Sequence, residues 1–382
     1  MTSLPSLDEC GLDETGRSIW RKLLEAEKTA LEYIRSNKAK YNDPVIGIRI
    51  LGFFLKDFRA HTLGYGSAPY ARLCREITSC FNKSDDKAIY DALVELGLRY
   101  RNYLLRVFRS NTGGRPTPSR HVSRPSFDVV KERILEELGK APQTKKSVRK
   151  QALLRDGYRC AITGVYDVQS CIDIDEIEAV ADRGGSITLE TEVAHIFSES
   201  AQDGDKEYAA TVLAMLEMFG LGEKAKSLYG GQVNSLHNVI TMEHNLHAAF
   251  DSFNLWLEPV AEHENTYKVC WNPRRLKRFS LPIPSRITFS VDPAAAAAAE
   301  AVNKELMLPD RSLIAIRAAC ARVANLSGAA EQADQILRDL EDTTVLADDG
   351  SMAGLLSSRL SMLTSRFAYV HGNDVPAAQL MT

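Results

Sequence analysis

Residues 191–200, TEVAHIFSES, and residues 232–254, QVNSLHNVITMEHNLHAAFDSFN, carry most of the chemistry in this 382-residue chain. Four of its eight histidines, His195, His237, His244 and His247, fall in this window. His195 closes an apolar run that reads as a strand and stands immediately before a polar loop. Asn238 starts a segment that leads into a short helix expected over 241–250. On that helix His244, His247 and Asp251 recur at i, i+3 and i+7, and the four-residue step from His247 to Asp251 puts both on one face. Two such groups on one helical turn suit a divalent cation. A histidine at a strand end suits a base acting on water, because imidazole titrates near neutrality. His237 and His263 read as structural histidines.

Around this window the pattern is mixed. Tyr158–Thr163 reads as a strand entering a turn at Gly164, and Ile187–Phe197 as another, with a turn-rich acidic stretch, DIDEIEAVADRGGS, before it. Tyr208–Phe219 has helical spacing. Phe253–Leu257 and Thr266–Trp271 alternate like the strands of a hairpin. Leu153, Tyr158, Ile162 and Val193 are the expected core of this unit.

Upstream the periodicity is helical throughout. Residues 14–107 read as helix after helix: Trp20, Leu23, Leu24 and Ala30, Leu31, Ile34 recur at helical spacing, Val45–Phe58, Pro69–Cys80 and Ile89–Phe108 behave alike, and Phe53, Phe54, Leu55 and Phe58 are expected in the core. Residues 109–125, RSNTGGRPTPSRHVSRP, hold two glycines and three prolines and form a linker or surface arm. From Arg99 to Arg124 there are seven arginines and no acid, a composition suited either to solubility or to neutralising phosphates. Residues 126–155 read as helix, ending in a basic run. Downstream of Pro284 come a strand at Ile287–Val291, an alanine run at 294–299, helices near 301–307, 310–325 and 328–343, a break at 348–354 and a weakly anchored tail. The division read from these shifts is 1–108 helical, 109–125 linker, 126–284 the mixed module, and 285–382 mainly helical.

Composition sets limits. Hydrophobic residues make up 45% and charged residues 25%, enough for a sizeable core. The net charge of -3 excludes a generally basic nucleic-acid-coating protein, although residues 1–143 carry 24 Lys+Arg against 18 Asp+Glu, and residues 144–280 carry 15 against 20. Seven scattered cysteines with no CxxC argue against a disulfide scaffold and a cysteine-built zinc knuckle. The N-terminal stretch lacks an apolar signal region and nowhere do 18 apolar residues run together. The expectation is an intracellular protein, nuclear or cytoplasmic, neither secreted nor membrane-spanning. KKSVRK at 145–150 is compatible with a nuclear import signal.

The pattern RDGYRCAITG (155–164), EVAHIFSES (192–200) and NSLHNVITMEHNLHAAFDSF (234–253) resembles the HNH endonuclease superfamily, and more narrowly the HNH-domain proteins of filamentous fungi. The resemblance covers about 145–275. It implies a ββα-metal module, a two-stranded hairpin on one helix; with the helical periodicity on either side, the expected fold class is α+β, this central module flanked by helical N- and C-terminal regions. It implies one divalent ion, Mg²⁺ or Mn²⁺ first and Zn²⁺ or Ni²⁺ otherwise, and hydrolysis of phosphodiester bonds in DNA. By the same resemblance His195 is the base that activates water, Asn238 braces the loop that orients it, and His247 and Asp251 are metal ligands. His244 is the replacement candidate for the base. The usual ligand position before the first histidine is Ala194, so Glu192, on the same strand face as Ala194, is the candidate third ligand. Two alternatives stay open: acid–base chemistry on a small molecule, and a non-catalytic interaction protein.

Overall fold

The computed structural model describes residues 2–37, 42–109, 144–198, 215–217, 220–223, 228, 233–276, 279 and 281–341. Four long helices open the chain: α1 (Glu14–Asn37), α2 (Asp43–Ala60), α3 (Ala68–Cys80) and α4 (Asp86–Arg99). The last runs on as a π-helical turn at Tyr100–Leu105. Asp85 starts α4 by accepting the N–H of Ala88 at 2.8 Å, satisfying one of the donors that a helix start leaves open. Helices α2 and α4 cross at Gly47 and Gly97, where the backbones come so close that a Cβ on Gly97 would overlap the Gly47 carbonyl. Phe53, Phe54, Leu55 and Phe58 are buried on α2.

Helix α5 (Lys145–Arg155) begins with a reciprocal cap. Thr144 Oγ1 accepts from Ser147 N at 3.1 Å, and Ser147 Oγ accepts from Thr144 N at 2.9 Å. Strand β1 (Tyr166–Asp167) follows, then α6 (Val168–Asp173), α7 (Asp175–Arg183), β2 (Thr188–Leu189) and β3 (Thr191–His195). Strand β4 (Val239–Glu243) leads directly into α8 (His244–Asp251). After it come β5 (Leu255–Pro259), β6 (Thr266–Trp271), α9 (Pro273–Leu276), β7 (Arg286–Thr288), α10 (Pro293–Ala301), α11 (Arg311–Ser327) and α12 (Ala329–Glu341). β3 and β4 form an antiparallel pair with Ala194 opposite Ile240 and His195 opposite Val239. β5, β6 and β7 make a second antiparallel sheet, and β1 and β2 a short parallel pair.

The β3–β4 pair is a two-sided layer. Ala194, Ile240 and Met242 turn to the main core, which also takes in Leu246 and Phe250 of α8, Trp20 and Phe54 of the first helices and Ile316 of α11. Val193 and Val239 turn to a smaller core with Val148, Ala152 and Leu154 of α5. Alternation along a strand sends successive side chains to opposite faces. It therefore decides which side of this layer each site residue occupies.

Several sequence expectations need correction. Tyr158–Thr163 is a turn and not a strand. Gly164 N bonds Cys160 O and Cys160 N bonds Val165 O, so the segment closes on itself. The acidic stretch before Ile187 forms α7, because Asp175, Glu176 and Glu178 fall in its first turn, where acids favour the helix dipole; α6, capped by Asp167, precedes it. The helix expected over 241–250 begins three residues later, since 239–243 pair with β3; Asn238 thus precedes a strand. Downstream, helix occupies the alanine run itself, capped by Asp292, and 303–310 is not helical. The arginine-rich 109–125 arm (apart from Arg109), residues 126–143, most of Tyr208–Phe219, and the chain beyond 341 lie outside the described residues. Among the described residues no single helix is long and apolar enough to cross a membrane.

Candidate active site

His195 is the last residue of β3, on the face turned to α5. Its Nε2 lies 3.0 Å from Asn234 Oδ1. An amide oxygen only accepts, so with this amide orientation Nε2 carries the proton and Nδ1 the lone pair. Asn238 is fully buried and spends its whole side chain on backbone. Its Oδ1 accepts from Phe197 N at 2.9 Å, and its Nδ2 donates to Phe197 O and to Val233 O, each at 2.9 Å. Asn238 O also accepts from Ile196 N. The turn leaving His195 and the segment carrying Asn234 are therefore sewn to the same residue. Asn238 is a brace, and a group so enclosed does not reach a substrate.

On the opposite face, Glu192 reaches α8. Its Oε1 lies 3.0 Å from His244 Nδ1 and its Oε2 lies 2.6 Å from His247 Nδ1. His247 Nε2 lies 3.2 Å from Asp251 Oδ2, one turn along the helix. Glu243 fixes the start of α8 by accepting from Leu246 N at 3.1 Å, and His244 N bonds Glu190 O. Hydrogen bonding from His247 holds the Glu192 carboxyl down to about 2, outweighing burial. Burial opposes charge on His247, yet its bonds to Asp251 and Glu192 prevail and raise it to about 9.

Asp251 leads to a residue the sequence reading missed. Arg317, from α11, is fully buried, with Nη2 3.7 Å from Asp251 Oδ1. Its guanidinium sits 3.7 Å from the Phe250 ring centroid, and burial lowers it to about 10. Its only advance signal was a lone cation in the otherwise apolar run SLIAIRAAC. Asn234 was also missed, although it stood in the asparagine-rich segment of the motif.

The expected site thus divides. Glu192, His244, His247 and Asp251 come together on the α8 face, while His195, Asn234 and Asn238 gather at the strand end. Each nitrogen of His247 faces a carboxylate, Nδ1 that of Glu192 and Nε2 that of Asp251. Among the described residues no group of three or more His, Cys, Asp or Glu side chains is arranged to hold a metal ion. The residues as they stand do not fit the implied divalent ion, and no chemical step is derived through it.

Two cavities lie elsewhere. One of about 590 Å³ lies between the 156–164 segment and residues 282–293. The other, of about 820 Å³, is bordered by Tyr33, Tyr90 and Tyr103. Neither is lined by any residue of the candidate site.

No curated protein and no solved structure matches this chain. A family model described as HNH endonuclease matches residues 160–258, about a quarter of the chain, a span that begins at the Cys160 turn and includes β3, β4 and α8. The mixed strand–helix architecture of that span is consistent with an HNH-like ββα arrangement, and the match supports membership in the HNH endonuclease superfamily.

Proposed function

We propose that the chain is an HNH-type endonuclease that hydrolyses phosphodiester bonds in DNA, with His195 as the base that takes a proton from water. The observation that carries this reading is the arrangement at the end of β3, where a histidine with Nε2 3.0 Å from Asn234 Oδ1 leaves the strand into a turn clamped by a fully buried asparagine. In this reading Asn234 accepts the Nε2 proton in a hydrogen bond and the ring's other nitrogen takes the proton of water. Asn238 holds the backbone on either side, so the ring keeps one orientation through the reaction. The exposed Lys145 and Lys146 start α5, the helix packed on the same sheet face as His195, and supply positive charge for a phosphate backbone. The divalent ion expected of such enzymes, with Glu192, His247 and Asp251 as its donors, belongs to this reading as an expectation. It requires the Glu192–His247 pairing to open. Nuclear or cytoplasmic placement and the narrower affinity to fungal HNH proteins are part of the same reading.

The test is incubation of wild-type and His195→Ala protein with supercoiled plasmid, single-stranded DNA and RNA across Mg²⁺, Mn²⁺, Ni²⁺ and Zn²⁺. Nicking by the wild type alone supports the reading; cleavage that survives the substitution removes His195 from its role. A second reading, acid–base chemistry on a small molecule, is favoured by the closure of Glu192, His247 and Asp251 on one another. Cleavage absent with every ion, together with saturable binding of a small anionic or polar ligand that His195→Ala abolishes, would establish it in place of the first.

A further inference from the structure

We propose that Arg317 is a positioning residue that locks the two halves of the candidate site to one another, acting from α11, outside the span that matches the HNH family. Its role in catalysis rests on the nuclease reading, whereas its role in holding the geometry does not.

Arg317 donates from Nη1 to Ile196 O at 2.9 Å and from Nη2 to Phe250 O at 2.6 Å. Ile196 is the residue after His195, and Phe250 precedes Asp251 in the turn of α8 that also holds His247. One rigid fork therefore spans the strand end and the helix end. Nη1 also donates to Phe108 O, at the close of the N-terminal helices. Beside it, Ser198 N bonds Val107 O at 3.0 Å and the Phe108 and Phe197 rings meet edge to face with centroids 5.8 Å apart. The turn after His195 is thus gripped by Asn238 from within the matched span and by Arg317 from outside it.

The chemistry of the group explains why arginine stands there. A buried cation is costly unless its hydrogen bonds are made and a counter-charge is near. Arg317 meets three carbonyls, the Asp251 carboxylate, and the faces of Phe250 and Phe253, at 3.7 and 5.5 Å from the ring centroids. A lysine ammonium has one nitrogen and cannot reach carbonyls spread across the width of a guanidinium. Arg322, five residues on, makes a half-buried network elsewhere, with Asp57 at 2.6 and 2.9 Å and Glu258 at 3.0 Å. It is the natural control for a loss of stability alone.

The experiment compares full-length wild type, Arg317→Lys and Arg322→Lys by long-range ¹H–¹⁵N correlation of the imidazole rings at pH 7, with melting temperature and plasmid nicking measured on the same samples. Both lysine variants should melt lower. Only Arg317→Lys should shift the His195 and His247 correlations, and its nicking kcat should fall at least tenfold with KM within about twofold of wild type. Unmoved histidine signals in folded Arg317→Lys, or equal shifts in Arg322→Lys, would overturn the proposal. If Arg317→Lys does not fold, exchange of the Arg317 Nη protons in the wild type decides: slow exchange supports the clamp, and exchange as fast as at exposed arginines rejects it. If wild type nicks nothing, the nuclease reading falls while the imidazole spectra still judge Arg317.

Discussion

Glu192 Oε2 on strand β3 lies 2.6 Å from His247 Nδ1 on helix α8, closer than His247 stands to Asp251 on its own helix. The contact ties the strand layer to the helix through a carboxylate held down to about 2 and an imidazole raised to about 9. The two signs fix a pH window. Glu192 is depressed from 4.5, so its contribution is complete above that value and is lost as pH falls toward 2. His247 is raised from 6.5, so its contribution is complete below that value and is lost as pH rises through 9. Both are therefore fully present between about 4.5 and 6.5. The two shifts describe one interaction, which counts once; with partial solvent screening it is worth about 2 kcal/mol. Melting temperature in the wild type should decline from pH 6.5 to 9 more steeply than in His247→Gln, and parallel curves would remove the imidazolium from the account.

Asn238→Ala should destabilise the fold by about 3 kcal/mol, because it removes the side-chain hydrogen bonds to Phe197 N, Phe197 O and Val233 O inside the core. Asn238→Asp keeps the acceptor but turns a carboxylate oxygen toward two carbonyls in the core, and should destabilise at least as much as alanine. Urea unfolding of the three proteins gives the order directly; an Asn238→Ala protein within 1 kcal/mol of wild type would show that the turn after His195 stands without its brace.

The helical regions were legible because apolar residues at helical spacing report a buried face whatever they pack against. Trp20, Leu23, Phe54 and Phe58 needed no further knowledge of the fold. The face that Glu192 occupies was also legible, since alternation along β3 puts it with Ala194; its pairing with His244 and His247 was not. Two kinds of information were hidden. Acids such as Asp175 and Glu176 serve turns and helix starts alike, and here they start a helix where a turn-rich stretch had been expected. Arg317 lies 66 residues beyond Asp251, and its task is defined only by carbonyls that three separate segments bring together. Spacing cannot express that kind of relation.

Gly97→Ala tests the α2–α4 crossing. In an unconstrained helix the change would stabilise by up to about 1 kcal/mol. Here the new methyl meets the Gly47 carbonyl, and the helices must separate where Gly47 packs on Val94 and Leu98. The substitution should instead destabilise by about 2 kcal/mol or more. A higher melting temperature in Gly97→Ala would show that the crossing is looser than described.

Asn234→Asp carries the prediction closest to the chemistry. In the wild type an uncharged amide oxygen faces His195 Nε2 at 3.0 Å, fixing the tautomer without adding charge. A carboxylate at that place keeps the acceptor and adds an anion, which favours the imidazolium form. A base must be unprotonated to act, so the acidic limb of the nicking pH–rate profile should move upward by about one unit, with the plateau at higher pH close to wild type. Asn234→Leu removes the acceptor and leaves the tautomer unfixed. It should lower the plateau by tenfold or more without moving the limb in the same direction. Opposite signatures from two substitutions at one residue separate an electrostatic effect on His195 from a loss of packing. A limb that stays in place in Asn234→Asp, in a protein that still nicks, would mean that a group other than His195 takes the proton.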